Sequence, residues 1–196
     1  MASPVKKELK LLQKYALESS FIIETGSGFS TKVFSRIAKK SGAIVHSIDV
    51  EPPSVSFPNV RYHQGWSVAY DDLIKPGDRE FVRSRYETVD GRVALDGEQW
   101  MKGSKDLIRK IIRESDQEID FFFCDTGEYC GLAEWNIVSP AIAVGGYFAA
   151  HDIYYPKSIK SFQVVCKVLL APNWTIRELT TDSKQGLMIA QKTGID

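Results

Sequence analysis

At 196 residues, 43% hydrophobic and 26% charged, the chain is about the size of one domain, and folding at this length removes roughly 70% of the unfolded surface from water. Its 25 lysines and arginines balance 25 aspartates and glutamates, so no global field gathers nucleic acid or an anionic membrane; the composition favours a small or locally recognised substrate. No apolar run reaches the roughly 20 residues of a bilayer crossing.

The N-terminus mixes lysines with leucines and lacks a secretion-signal pattern, so the cytoplasm is the expected compartment. Val5, Leu9, Leu12 and Ala16 recur at helical spacing, and Lys6, Lys7, Lys10 and Lys14 read as the solvated face of that helix. Phe21-Ile22-Ile23 is a short buried strand, followed by a glycine-containing turn from Thr25 to Ser30. Val33, Phe34, Ile37 and Ala38 mark the inner face of a helix ending near Ser41-Gly42. Ala43 to Val50 forms the second strand, Pro52, Pro53 and Pro58 make a loop, and Val60 to His63 is a third strand before Gly65.

The polar stretch at 76–103 reads as an insertion, with Thr88-Val89 and Arg92-Val93 flanking the hairpin signal Asp90-Gly91. Leu107, Ile108, Ile111 and Ile112 define another helix, and the nearly continuous apolar run Ile119 to Cys124 predicts a central parallel strand. Leu132 to Ile142 reads as helix, Gly145-Gly146 as a turn, and Tyr147 to Ala150 as a strand delivering His151-Asp152. A helix carrying Ile159, Phe162, Cys166 and Leu169 and two strands, Trp174 to Leu179 and Leu187 to Gln191, complete the chain. Cys124, Cys130 and Cys166 lack CxxC spacing and read as reduced thiols, with Cys124 and Cys166 packed inside.

The alternation predicts a single α/β domain over 1–196: a three-layer sandwich with a mostly parallel seven-stranded Rossmann-like sheet and an antiparallel C-terminal edge hairpin. Ligands of such sheets bind beyond the carboxyl ends of the strands. That rule selects Glu24 to Ser30, Asp49 to Glu51, Gly65 to Ser67, Asp125 to Glu128, and His151-Asp152. The glycine turn offers a bare backbone and a helix N-terminus to an anion, and Asp49, about 20 residues on, suits a ribose diol.

The run Phe21-Ile22-Ile23-Glu24-Thr25-Gly26-Ser27-Gly28-Phe29-Ser30 with Ile48-Asp49 resembles motifs one and two of class I S-adenosylmethionine (SAM) dependent methyltransferases. Phe123-Cys124-Asp125 and Gly145-Gly146-Tyr147 leading to His151-Asp152 resemble the small-molecule O-methyltransferase branch that includes catechol O-methyltransferase and the cephalosporin hydroxylase-like proteins. The resemblance implies SAM as cofactor. Gly26, Ser27, Gly28 and Ser30 would hold its methionine end, Glu24 would support that end, Asp49 would bind the ribose, Trp66 and Ser67 would flank the adenine, and Asp125 would lie on the cofactor side. It also implies O-methylation of a small molecule, with Asp125 and Asp152 holding Mg²⁺ or another divalent ion and His151, Asp152 and Glu128 available for catalysis.

Two departures from the catechol-type pattern stand out. This chain has His-Asp where an Asp-Asn pair is usual, and Glu128 where a catalytic lysine would fall. An NAD dehydrogenase also uses a glycine turn and an acid, but Ser30-Thr31 and Glu24 oppose it. The absence of an Asn-Pro-Pro-Tyr or Asp-Pro-Pro-Tyr run after the fourth strand opposes base methylation. A SAM-binding sensor or assembly protein without transferase activity stays open, as does a homo-oligomer. The charged insertion, with Arg83, Arg85, Tyr86, Arg92 and Trp100, is open to a role as an acceptor cover or as a surface excursion.

Overall fold

The computed structural model describes residues 6–73, 103–127, 130–154, 161–180 and 185–195. The expected insertion with its hairpin lies outside the described residues except for Gly103, and Glu128 and Ile159 lie outside them too. In chain order the elements are α1 (Lys6–Ala16), β1 (Phe21–Thr25), α2 (Phe29–Ser41), β2 (Ile44–Asp49), β3 (Val60–Gln64), α3 (Leu107–Glu114), β4 (Ile119–Cys124), α4 (Gly131–Val138), β5 (Ile142–His151), α5 (Phe162–Leu170), β6 (Trp174–Thr180) and β7 (Leu187–Lys192).

One seven-stranded sheet runs in the order β3-β2-β1-β4-β5-β7-β6. The first five strands are parallel, and β7 is antiparallel to both β5 and β6. Strand order reverses between β1 and β4, so the crevice that positions a ligand opens at their carboxyl ends. Alternate residues of each central strand feed two cores. Ile22, Val45, Phe121, Phe123 and Ala149 pack with α1 and α2 residues such as Leu12 and Phe34. Ile23, Ile48, Phe122, Cys124 and Phe148 pack on the other face with α3, α4 and α5. Each large side chain removed from water this way contributes about 1.5–3 kcal/mol, which is why the apolar run of β4 sits at the centre.

The strand and helix pattern is as the sequence predicts, with local corrections. The fourth helix stops at Val138, and Ser139–Ala141 tighten into a 3₁₀ turn containing Pro140, which has no backbone N–H to continue an α-helix. Ile142 therefore begins β5 instead of ending a helix. Gly145-Gly146 is not a turn between elements but lies inside β5. There the pairing with β4 slips, so that Ile119 faces Ile142 while Phe121 faces Tyr147. A β carbon on Gly146 would press on the Ile142 side chain, so this glycine allows the strand to bulge closely.

On α5 the inward face is Val164 and Val168; Phe162 and Leu169 are exposed, and so is Cys166, which does not pack inside. Cys124 and Cys130 are buried. The four lysines of α1 are exposed as expected, but Glu8 on the same helix is 1% exposed. Among the described residues no helix is long and apolar enough to cross a membrane.

Candidate functional site

The turn after β1 is anchored to its neighbours strand by strand. Thr25 lies in register with Ile48, the Gly26 N–H donates to the Ile48 carbonyl at 2.9 Å, and Asp125 N–H donates to the Thr25 carbonyl at 3.0 Å. Gly26 sits at φ +84°, and a β carbon there would collide with the carbonyl oxygen of Asp125. Only glycine lets the backbone after β1 pass this close to the segment after β4.

Asp49 closes the next side. Its Oδ2 accepts the Ser27 N–H at 2.7 Å and its Oδ1 accepts the Glu51 N–H at 3.0 Å. Ser27 and Ser47 share a hydroxyl hydrogen bond of 2.8 Å. The motif-one turn and the motif-two carboxylate thus face one crevice. Gly28 precedes α2 and donates its N–H to Thr31 Oγ1 at 2.8 Å, while the space where its β carbon would project is open. The first turn of α2 carries no acidic residue, which leaves its partial positive charge for an external anion. A cavity of about 390 Å³ opens beside this turn, lined by Ser27, Gly28, Thr31, Lys32, Val55 and Phe57 among others.

Beneath the turn, Glu24 is fully buried. Its Oε2 accepts from Ser30 Oγ at 2.7 Å, and the Thr31 and Ser47 hydroxyls lie close by. Burial pushes its carboxyl up to about 7, against the opposing pull of the Thr31, Ser30 and Ser47 hydroxyls. Sequence places Glu24 in the turn; the structure places it and Thr25 inside β1.

Trp66 and Ser67 follow β3 and are held by backbone bonds to the start of α3. Trp66 N–H donates to Ser104 O at 2.7 Å, Leu107 N–H to Trp66 O at 3.1 Å, and Ile108 N–H to Ser67 O at 3.0 Å. Gly65 N–H donates to the Asp49 carbonyl at 2.8 Å, which fixes this segment beside the crevice. Trp66 is half-buried against the core and Ser67 is buried. Arg109 pins the same region by bonding both oxygens of Asp72 and one of Asp106; the guanidinium holds the Asp72 carboxyl below its usual range.

At the ends of β4 and β5, Asp125, His151 and Asp152 converge, with one potential ligand atom of each within 4.8 Å of the others. His151 Nδ1 lies 3.3 Å from Asp125 Oδ1 and 3.5 Å from Asp152 Oδ1. On the opposite side of the ring, Nε2 lies 3.4 Å from Glu8 Oε2. Burial pulls the imidazole down, but the carboxylates of Asp125, Glu8 and Asp152 outweigh it and push His151 up to about 9. Asp152 is held at φ +58°, a strained backbone for a residue with a β carbon. Asp125 joins the two halves: its carbonyl packs under Gly26 and its carboxylate faces His151.

Glu8 escapes a reading of the sequence because glutamate on a lysine-rich helix is ordinarily solvated. The signal that marks it is its spacing: Glu8, Leu12 and Ala16 repeat every fourth residue on one buried face.

The fold is that of solved O-methyltransferases. An O-methyltransferase from Bacillus cereus in complex with S-adenosylhomocysteine (SAH) superposes with a TM-score of 0.61 at 15% identity, covering 97% of this chain and 83% of that one. The O-methyltransferase TomG of Streptomyces achromogenes, involved in tomaymycin synthesis and solved with SAM, gives 0.58 at 15% identity over 98% of this chain and 82% of its own. MycE, a methyltransferase of the mycinamycin pathway solved with Mg, SAH and mycinamycin VI, gives 0.55 at 13% identity over 97% of this chain and 50% of its own. No family model and no curated protein matches the chain by sequence.

Proposed function

We propose that the protein is a SAM-dependent methyltransferase that methylates a hydroxyl of a small molecule with the help of a divalent ion. The observation that carries this reading is the Ser27 N–H to Asp49 Oδ2 hydrogen bond, because it sets a glycine turn, a helix N-terminus and a strand-end acid around one crevice. Each Asp49 oxygen already accepts one backbone N–H and retains a lone pair for a ribose hydroxyl. The open space at Gly28 also fits the methionine end of SAM, and Glu24, fully buried beneath the turn, supports that end through Ser30.

In this reading Gly26, Ser27, Gly28 and Ser30 orient the aminoacyl end, and Trp66 and Ser67 flank the base. Bound SAM supplies a methyl group on a sulfonium, whose S–C bond breaks as the acceptor O–C bond forms. The protein's task is then to align the acceptor oxygen and take its proton. Asp125, His151 and Asp152 offer two carboxylates and one imidazole, a donor set that suits a divalent ion. Such an ion would lower the pKa of a hydroxyl that it binds, and Asp152 would be available to take the proton while His151 serves as a ligand.

Calorimetry with SAH, followed by transfer of labelled methyl from SAM to a panel of hydroxylated small molecules, tests the proposal. Micromolar SAH binding that Asp49→Ala weakens, together with metal-stimulated labelling of at least one acceptor, is expected. Absence of SAH binding overturns it, and binding with no transfer to any acceptor turns the reading towards a sensor.

A further inference from the structure

Three acceptor-only carboxylates surround the His151 ring, and they do so from two sides. Asp125 and Asp152 face Nδ1 at 3.3 and 3.5 Å, while Glu8, brought in by α1, faces Nε2 at 3.4 Å. His151 and Glu8 are each only 1% exposed, so little water screens this arrangement. Without an ion both ring nitrogens can carry protons and donate to the carboxylates on either side. A divalent ion among Asp125, Asp152 and Nδ1 would take the place of the Nδ1 proton, while Glu8 would keep the proton at Nε2 and so hold the ring's orientation.

We infer that Glu8 is a positioning residue that fixes the tautomer of His151, making Nδ1 a nitrogen ligand in a His-Asp-Asp centre that takes a transition-metal ion in preference to Mg²⁺. This inference rests on the divalent-ion part of the proposed function. A carboxylate behind a ligating imidazole holds the ring orientation and raises its basicity, and losing such a partner typically weakens metal affinity by about 10- to 100-fold. An imidazole in place of a third oxygen moves preference from Mg²⁺ towards Mn²⁺ and its heavier neighbours. The substrate chemistry is unchanged; the ion serving it differs. The geometry also gives α1 a function, since a glutamate facing solvent would leave the ring free to turn.

The test uses the full chain with Mn²⁺ and Mg²⁺ as probes, each with and without SAH. In the wild type, Mn²⁺ is expected to bind at least about 10-fold more tightly than Mg²⁺, and pulsed electron paramagnetic resonance of bound Mn²⁺ is expected to show ¹⁴N modulation from a ligating imidazole. Glu8→Gln is expected to lower Mn²⁺ affinity by about 10-fold or more and to collapse the Mn²⁺ to Mg²⁺ ratio, with SAH affinity retained. Circular dichroism confirms that the variant is folded, and the wild-type spectrum tests the inference independently of the variant. Bound Mn²⁺ without ¹⁴N modulation, an unchanged Mn²⁺ affinity in folded Glu8→Gln, or SAH binding with no Mn²⁺ binding overturns the inference while leaving the SAM reading in place. Loss of SAH binding in the wild type, with the metal results as expected, overturns the SAM reading alone.

Discussion

Asp49 and Asp125 stand at strand ends on the same edge of the sheet and are held in opposite ways. Asp49 accepts two backbone N–H groups, from Ser27 and Glu51, within a stretch of chain that one β-α-β unit encodes. Asp125 instead faces a buried imidazole that two other carboxylates also approach, one of them from the first helix. The first site is shaped by backbone, so it depends on turn geometry and tolerates changes in neighbouring charge. The second is shaped by charge and depends on every member of the set. Under the proposed function, the first would be a generic cofactor seat and the second the part that varies to suit an acceptor or an ion.

The largest disruption of this contrast is expected from Gly26→Ala. A positive φ costs about 1–2 kcal/mol and the collision with the Asp125 carbonyl about 1–3 more, so a loss on the order of 4 kcal/mol is expected in urea denaturation, with SAH binding abolished.

Glu24→Gln is expected to act in the opposite direction and only above acid pH. Below the ordinary glutamate value of 4.5, folded and unfolded chains both keep the proton, and the substitution changes little. As pH rises from there to about 7, the unfolded chain has released a proton that the folded chain still holds, and the native state loses stability progressively. At pH 8 the glutamine variant should therefore be more stable by on the order of 3 kcal/mol, a gain that melting curves at pH 4.5 and pH 8 would reveal or refute.

Asp49→Ala comes next, with SAH affinity falling by roughly 30-fold, about 2 kcal/mol, because charge-assisted bonds to the turn and to the ligand disappear together. Titration calorimetry reads this directly; an unchanged affinity would mean that the ribose is held elsewhere. Gly28→Ala should be the mildest in the free protein, under about 0.5 kcal/mol, since its new methyl meets open space. Loss of SAH affinity at constant melting temperature would separate this glycine from Gly26 and locate the ligand against it.

Most of the fold was legible because it rests on local pattern. The apolar run Ile119–Cys124 matches β4 to the residue, and Gly42 in the left-handed region ends α2 as its position suggested. Gly145-Gly146 misled because glycine pairs usually punctuate, and only the β4 register shows that here they relieve a bulge. The sequence of α5 is apolar on several sides, so periodicity alone could not choose Val164 and Val168 over Phe162 and Leu169. The candidate site divides along the same line. Glu24 to Ser30 and Asp49 follow from motif and spacing, whereas Glu8 beside His151 is created by tertiary packing of the first helix against the end of β5.

The depth of the three thiols has a practical consequence. Cys166 lies on the outer face of α5, Cys130 at the start of α4, and Cys124 in the middle of the sheet. An alkylating reagent should modify Cys166 at once in the native protein. Reaction at Cys130 must wait for opening around α4, and at Cys124 for opening of the central strand. Mass spectrometry of timed alkylation would thus turn the chain's own cysteines into clocks for surface, local and global opening, with no label engineered in.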